Sequence, residues 1–115
     1  MNTVFLIGNL ATDVDLREVG EGTKVASFLL AVDRPTSDDA DFVRISAWER
    51  QAEICGEYLT KGRQVAVEGR LRSSSWEDED GKRHTAVEVR AGRVQFLAKP
   101  ERQAADVPAE EVAMA

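Results

Sequence analysis

Arginine and aromatic side chains alternate in two segments of this 115-residue sequence. In the segment FVRISAW, a strand would place on one face the residues of one parity, which are Phe42, Arg44, Ser46 and Trp48. Further along the chain, Arg70, Arg72 and Trp76 also share a parity. Aromatic faces interleaved with cations suit unpaired nucleic acid, because every base offers a π-face and every nucleotide a phosphate. These rows therefore predict a surface that binds single strands.

The same pattern has a second interpretation. Exposed aromatic residues at a sheet edge often mark contacts with another protein or another subunit. The alternative function is therefore an adaptor that uses this face for protein contact and binds DNA weakly or not at all. Loss of tryptophan fluorescence on adding an oligonucleotide would separate the two hypotheses.

The elements that must position these rows follow from hydrophobic periodicity. Alternating β-branched and aromatic residues predict five strands, at residues 2–10, 24–33, 42–48, 63–72 and 85–96. Ala52, Cys55 and Leu59 recur at helical spacing and predict a helix from Glu49 to Lys61, with Gly62 as a left-handed cap. Five strands with one helix between the third and fourth is the order of an OB-fold, an all-β, five-stranded Greek-key barrel.

The strand patterns also predict which side chains face the core. The residues expected to point inward on the third and fourth strands are Val43, Ile45, Ala47, Val65, Val67 and Leu71. Glycines mark three special positions: Gly8 for a close backbone approach, Gly92 for a β-bulge, and the Asp80-Gly81 pair for a projecting hairpin.

The sequence predicts neither a catalytic site nor a metal site. His84 is the only histidine and has no ligand set near it, so we expect a surface residue, no metal and no cofactor. Ser73, Ser74 and Ser75 lack a nucleophile motif, so we expect no enzyme. Cys55 fits an apolar helical pattern and is expected to be a buried small hydrophobe.

Charge is divided unevenly along the chain. The net charge is −6, and residues 100–115 contribute half of it through one arginine and four acidic side chains. We predict one domain at 1–99 and a short, acidic, disordered tail at 100–115. Because the domain itself is close to neutral, binding must depend mainly on stacking. No stretch predicts a membrane span or a signal peptide, so we expect a cytoplasmic protein.

Several segments together resemble the bacterial single-stranded DNA-binding protein family over about residues 2–97. The segments are IGNL near the N-terminus, FVRISAW, AEICGEYLTKGRQVAVEGRLR, and a W-x-D-x-x-G stretch beginning at Trp76. The resemblance implies an OB-fold protein that forms homotetramers, wraps single-stranded DNA at the nucleoid, and protects it during replication, recombination and repair.

The resemblance also implies individual roles. It places base stacking on Phe42, Trp48 and Trp76, with Thr36 at the position of a fourth aromatic residue. The cations that it places on the DNA path are Arg34, Arg44, Lys61 and Arg72, with Arg50, Arg70, Lys82 and Arg83 as weaker candidates. Acidic residues 77–80 oppose that path. The sequence ends in EEVAMA without the family's aromatic-ended acidic tip, so recruitment of replication and repair proteins is not expected.

Overall fold

The computed structural model describes residues 1–97 and contains six strands and one helix. The elements are β1 (Val4–Leu10), β2 (Asp15–Val19), β3 (Thr23–Asp33), β4 (Ala40–Trp48), α1 (Glu49–Tyr58), β5 (Gln64–Glu77) and β6 (Arg83–Phe96). The five predicted strands and the helix are therefore confirmed. The predicted tail at 100–115 lies outside the described residues, and the division at residue 99 stays a prediction.

Five of the strands close into a barrel. The sheet runs in the order β1-β5-β6-β4-β3, and β1 pairs back onto β3 through Asn9–Ala31 and Leu10–Leu30. All of these pairings are antiparallel except that of β4 with β6, which is parallel at Ile45–Val89 and Ser46–Arg90. This closed arrangement confirms the OB-fold.

Strand β2 was not predicted from the sequence. It pairs only with β3, through a turn in which Gly20 and Gly22 have positive φ values of 58° and 84°. All five of its residues are exposed, so the sequence lacks the apolar alternation that reveals a half-buried strand. The prediction of five strands was therefore one short.

The core fills the barrel and is closed at one end by the helix. Its largest fully buried side chains include Leu30, Ile45, Val65, Val67 and Val89. From α1 and the residue after it, Ala52, Cys55 and Leu59 pack against this cluster, as their spacing predicted. Burial raises the pKa of the Cys55 thiol to about 11, so the side chain stays neutral and acts as a small hydrophobe.

The helix is shorter than predicted. It ends at Tyr58, and Leu59 already has an extended backbone, with φ −97° and ψ 139°. The following backbone N–H groups are bound by the end of β1 and the loop after it: Lys61 donates to Asp13 at 2.8 Å and Gly62 donates to the Leu10 carbonyl at 2.8 Å. Gly62 has the predicted positive φ of 93°, but it lies in the turn before β5 and does not cap the helix.

Strands β5 and β6 continue past the barrel as a two-stranded arm. Pairing of β1 with β5 ends at Val4–Gly69, whereas β5 and β6 stay paired out to Glu77–Arg83. The predicted bulge is confirmed, because Gly69 pairs with Ala91 and Glu68 with Arg93, which leaves Gly92 unpaired. The arm ends in the predicted turn, where Gly81 has a φ of 81°. We call residues 70–88 the hairpin arm.

Leu71 was expected to point into the core and does not contribute to it. The side chain shares a face with buried Val89, its cross-strand partner, but is itself 47% exposed. The reason is that β1 ends at Val4, so no third strand covers β5 on that side beyond Gly69. The prediction for Leu71 was wrong because an inward parity buries a side chain only where the barrel is closed.

Gly8 allows the backbones of β1 and β3 to meet. A Cβ atom at Gly8 would collide with the Ala31 carbonyl oxygen and lie 3.0 Å from its carbonyl carbon. We expect Gly8→Ala to lower the free energy of unfolding by about 1–3 kcal/mol through this overpacking. Gly92→Ala is the matched control, because the only nearby atom is the Glu68 oxygen at 3.6 Å. Urea denaturation measures both, and equal stability of the two variants would contradict the packing argument.

Candidate nucleic-acid interface

Strand pairing brings the two predicted rows onto one continuous surface. On β4 and β6, Ser46 and Arg90 are partners, and on β5 and β6, Arg70 pairs with Arg90 and Trp76 with His84. Because paired residues share a face, strand β6 connects the row on β4 with the row on β5. We call this the aromatic–basic surface, defined by Phe42, Arg44, Trp48, Arg70, Arg72, Trp76, His84 and Arg90.

Phe42 and Arg44 lie on β4, where the side chains of both residues are exposed to solvent. Phe42 is 64% exposed, which is unusual for a large apolar side chain in a strand. Arg44 is also exposed and pairs across to Leu29 of β3. Both residues are therefore accessible to a ligand that crosses the sheet.

Trp48 is held at the base of the hairpin arm by three local features. Its indole N–H donates to the Ser46 hydroxyl at 3.4 Å, and the Arg90 guanidinium lies 4.4 Å from its ring centroid. Immediately after it, Glu49 has a φ of 56°, a conformation that non-glycine residues rarely adopt. The indole is partly buried and has a fixed environment on the protein side.

Ser46 was expected to be exposed with the rest of its row, and this expectation was wrong. The residue is only 4% exposed, although it has the predicted parity. It pairs with Ser27 on one side and Arg90 on the other, and its hydroxyl accepts the Trp48 N–H. A short side chain between two strands is covered by its longer neighbours, so Ser46 positions Trp48 and does not face solvent.

A shallow cleft lies where the arm leaves the barrel. Its lining residues are Trp48, Arg72, Ser73, Ser74, Glu88 and Arg90. The cleft combines an indole face, two cations and two hydroxyl groups, with Glu88 directly opposite Arg72 as the one acidic side chain. Such a lining suits a nucleotide, which carries both a planar base and a phosphate.

Trp76 lies near the tip of the hairpin arm and is half exposed. The His84 imidazole stacks on its indole, with ring centroids 5.6 Å apart and planes inclined by 24°. His84 is also bound by Asp78, whose carboxylate lies 2.7 Å from Nε2. His84 is a surface residue, as predicted, but its stack on Trp76 was not predicted.

Asp78 binds backbone N–H groups of the turn as well as the His84 side chain. Its pKa is held below the usual range, first by the hydrogen bond from His84 and then by the backbone N–H groups of Lys82 and Asp80. The interactions that lower this pKa stabilise the folded arm at pH values above the unfolded-state pKa of about 3.9. This stabilisation is lost as the pH falls through the lower pKa of the folded state.

We therefore expect Asp78→Asn to destabilise the protein more at neutral pH than in acid. At pH 7 the variant lacks the charge that the turn and His84 stabilise, whereas below the folded pKa of Asp78 the wild-type carboxyl is also neutral. Urea denaturation of both proteins at pH 7 and near pH 3 measures the difference. A stability gap that stays constant with pH would contradict this role of the charge.

The predicted cations differ in how their charge is compensated. Among residues 1–97, arginine and lysine form ion pairs only in Arg17–Asp15, Lys24–Glu18 and Arg34–Asp41. Four arginines of the aromatic–basic surface therefore have no carboxylate within ion-pair distance in that part of the chain: Arg44, Arg70, Arg72 and Arg90. Arg70 and Arg90 also face each other directly, an arrangement of like charges that costs stability. This surface is suited to an anionic ligand.

Arg34 and Lys61, two of the predicted cations, are in positions less favourable for binding a phosphate at this surface. Arg34 is bound to Asp41 at 2.9 Å, so a phosphate would have to compete with this carboxylate. Lys61 follows the C-terminal end of α1, whereas Trp48 immediately precedes its N-terminal end, and the helix between them is about 15 Å long. The weaker candidates Lys82 and Arg83 lie at the arm's turn and on β6, and Arg50 is the second residue of α1. Their roles in binding stay predictions.

Sequence reasoning missed Arg90 and the position of His84 on this surface. The available signal was parity, because both residues share the outward phase of β6 before the bulge at Gly92.

Among the described residues, no three His, Cys, Asp or Glu side chains are grouped to hold a metal ion. Helix α1, the one helix within 1–97, is not long and apolar enough to cross a membrane.

Comparisons with known proteins agree on one family. The sequence model of the single-strand binding protein family matches residues 1–97. A Bacillus cereus protein named single-stranded DNA-binding protein is 44% identical over 102 residues, covering 84% of this chain and 60% of the relative. Proteins of the same name from Bacillus anthracis and Clostridium tetani are 44% and 43% identical and are covered to 59% and 70%. The chain thus spans about three fifths of the length of the two Bacillus relatives.

Proposed function

Since this chain belongs to the single-strand binding protein family, we propose that it binds single-stranded DNA through the aromatic–basic surface. Binding is largely independent of base sequence and protects the strand during replication, recombination and repair. The protein acts in the cytoplasm, at the nucleoid, and catalyses no reaction. Stacking on Phe42, Trp48 and Trp76 supplies most of the affinity, and arginines supply phosphate contacts.

One observation carries this proposal above the others. Within the described residues, Arg44, Arg70 and Arg72 have no carboxylate within ion-pair distance, and they lie on the same face as both tryptophans. A polyanion with planar groups satisfies the charges and the rings together, whereas duplex DNA presents its phosphates but keeps its base faces stacked. The adaptor alternative is not favoured, because the three relatives described above are named as single-stranded DNA-binding proteins.

Fluorescence anisotropy of a labelled oligothymidine tests the proposal. We expect saturable binding that weakens as salt increases, and an unlabelled duplex of equal length should compete poorly. An unlabelled single strand of mixed sequence should compete about as well as oligothymidine. Failure to bind at low salt would overturn the proposal, and equal competition by the duplex would show that the protein binds phosphates without using base faces.

We further propose that the protein is a homotetramer. The residues Val4–Gly8 of β1 pair with β5 on one side only, since the pairing with β3 begins at Asn9. Phe5 and Ile7 on this strand are 66% and 55% exposed. An unpaired strand edge with large apolar side chains favours pairing with another chain. This geometry supports subunit pairing, and the expectation of four subunits comes from the family resemblance.

The assembly has a direct measurement. Light scattering at micromolar concentration should return about four times the 12.7 kDa mass of one chain. Replacing Phe5 and Ile7 together by Asp should lower the mass, because burying two unpaired carboxylates in a contact is unfavourable. Leu16→Asp, at an apolar residue on β2 that is 43% exposed, is the control and should leave the mass unchanged. A parent protein that scatters as 12.7 kDa would contradict the assembly.

A further inference from the structure

Both tryptophans of the aromatic–basic surface are covered on one face by a residue from strand β6. His84 stacks on Trp76, and the Arg90 guanidinium lies over Trp48. We propose that His84 and Arg90 are positioning residues that back the two indoles, so that each ring offers one face to one base. This inference rests on the proposed function and adds two residues to it.

The geometry at Trp76 fits this role. A centroid distance of 5.6 Å and an inclination of 24° describe an offset stack, which is a favourable arrangement for two aromatic rings. Trp76 and His84 are direct cross-strand partners, so the strand register brings them together. The indole is 50% exposed, as expected for a ring that is covered on one side and open on the other.

The imidazole is itself fixed by a second contact, at its Nε2 atom. Asp78 lies 2.7 Å from His84 Nε2 through one carboxylate oxygen, and its other oxygen accepts the N–H groups of Asp80 and Lys82, each at 2.9 Å. The backbone of the turn therefore fixes the Asp78 carboxylate, the carboxylate fixes the His84 imidazole, and the imidazole stacks on the Trp76 indole. This chain of contacts restricts the Trp76 ring before any base arrives, which lowers the entropy lost on binding.

Arg90 plays the matching role at the base of the arm. Its guanidinium carbon is 4.4 Å from the Trp48 ring centroid, within the range of a cation–π contact. The indole N–H is tied to Ser46, and Ser46 is the β4 partner of Arg90. The ring is thus held in its plane by a hydrogen bond and on one face by a cation.

The two backing residues have a common origin in the fold. His84 and Arg90 are six positions apart on one strand and share its outward phase, which separates them by about 20 Å along β6. Neighbouring strands β5 and β4 supply the tryptophans. Strand β6 therefore forms a common support between two single-base stacking sites.

Variants at His84 test the first half of the proposal in the full chain. We expect His84→Ala to weaken oligothymidine binding roughly two- to tenfold, because the indole loses its backing ring. His84→Phe keeps a planar ring and should bind within about twofold of the parent, although it loses the Asp78 contact. Thr85→Ala, at the next residue of β6 and on the opposite face of the arm, is the matched control and should stay close to the parent.

A spectroscopic readout separates positioning from a change in charge. Trp48 and Trp76 are the only two tryptophans, so Trp48→Phe leaves Trp76 as the single indole emitter. In that protein, His84→Ala should shift the free-state emission to longer wavelength, because water replaces the imidazole on the ring, whereas His84→Phe should not. Unchanged emission on His84→Ala would overturn the stack.

Arg90 is tested by the salt dependence of binding. Arg90→Ala should weaken binding roughly two- to tenfold without changing the slope of log affinity against log salt, because the cation acts on the ring. Arg72→Ala removes a cation from the same cleft and should lower that slope by about 0.7. If Arg90→Ala lowers the slope as Arg72→Ala does, Arg90 binds phosphate and does not back the indole.

The outcomes distinguish this inference from the proposed function. If the parent protein does not bind oligothymidine, the proposed function fails. If the parent binds and both His84→Ala and Arg90→Ala, folded by circular dichroism, bind as tightly as the parent, the backing role is overturned and the proposed function stands.

Discussion

Replacing Trp48 and Trp76 together by alanine should weaken oligothymidine binding by about 2–6 kcal/mol, since each stacked base contributes roughly 1–3 kcal/mol. The loss should depend little on base sequence, because every base has a π-face. We expect this to be one of the two largest effects of paired substitutions on the aromatic–basic surface. Residues 1–99 have a net charge of −3, so the domain has little long-range attraction for DNA and depends on ring contacts.

Anisotropy of a labelled oligonucleotide is the appropriate measurement, because the double variant has no tryptophan emission of its own. Tyr58→Ala is the matched control: it is an aromatic residue that is 58% exposed, but it lies at the end of α1 and contacts Phe96. The control should bind like the parent. Parent-like affinity of the folded double tryptophan variant would show that the rings do not stack on bases.

The second large effect is expected for Arg44→Ala combined with Arg72→Ala. Each change removes roughly one phosphate contact, so the slope of log affinity against log salt should fall by about 1.4 in total. Two charge-assisted contacts at roughly 1.5–3 kcal/mol each imply a loss of about 3 kcal/mol or more at low salt. Both side chains are exposed and, within residues 1–97, neither has a carboxylate partner to release.

Titrations between about 50 and 200 mM salt measure this slope. Arg17→Ala is the control, because Arg17 is exposed on β2, pairs with Asp15 at 2.9 Å, and lies outside the aromatic–basic surface. Its removal should leave the slope unchanged. The double tryptophan variant should also keep the parent slope, and a slope that falls equally in both double variants would mean that rings and charges cannot be separated as proposed.

The strands of the barrel could be predicted because their side chains carry a periodic signal. On β4, Ile45 and Ala47 are buried as their parity predicts, and Val43 packs against the core. Strand β2 carries no such signal, since DLREV has no buried side. It forms because β1 pairs with β3 only at Leu30 and Ala31, which leaves the backbone groups of residues 23–27 free to pair on that edge. The sequence of β2 alone does not contain that information.

The site could be predicted in part for a related reason. Parity places Trp48 and Trp76 on outward faces, but it does not say which side chain on a distant strand lies beside each ring. That depends on the β4–β6 and β5–β6 registers, which are set by packing of the whole barrel. Arg90 and His84 were missed for this reason, and the burial of Ser46 follows from the same registers.

The end of the helix depended on long-range contacts in a similar way. The pattern after Tyr58 permits another helical turn, but Asp13 and the Leu10 carbonyl bind the backbone N–H groups of Lys61 and Gly62. These partners are about 50 residues away in sequence. Local periodicity therefore predicts the existence of α1 better than its last residue.

The most direct test of the central claim is the intrinsic fluorescence of the unmodified protein during titration with oligothymidine at low salt. Both tryptophans lie on the aromatic–basic surface, so the tryptophan emission reports only on the proposed stacking sites. We expect strong, saturable quenching that added salt reverses, with little quenching by a duplex of equal length. Emission that is unchanged by the single strand at low salt would contradict it.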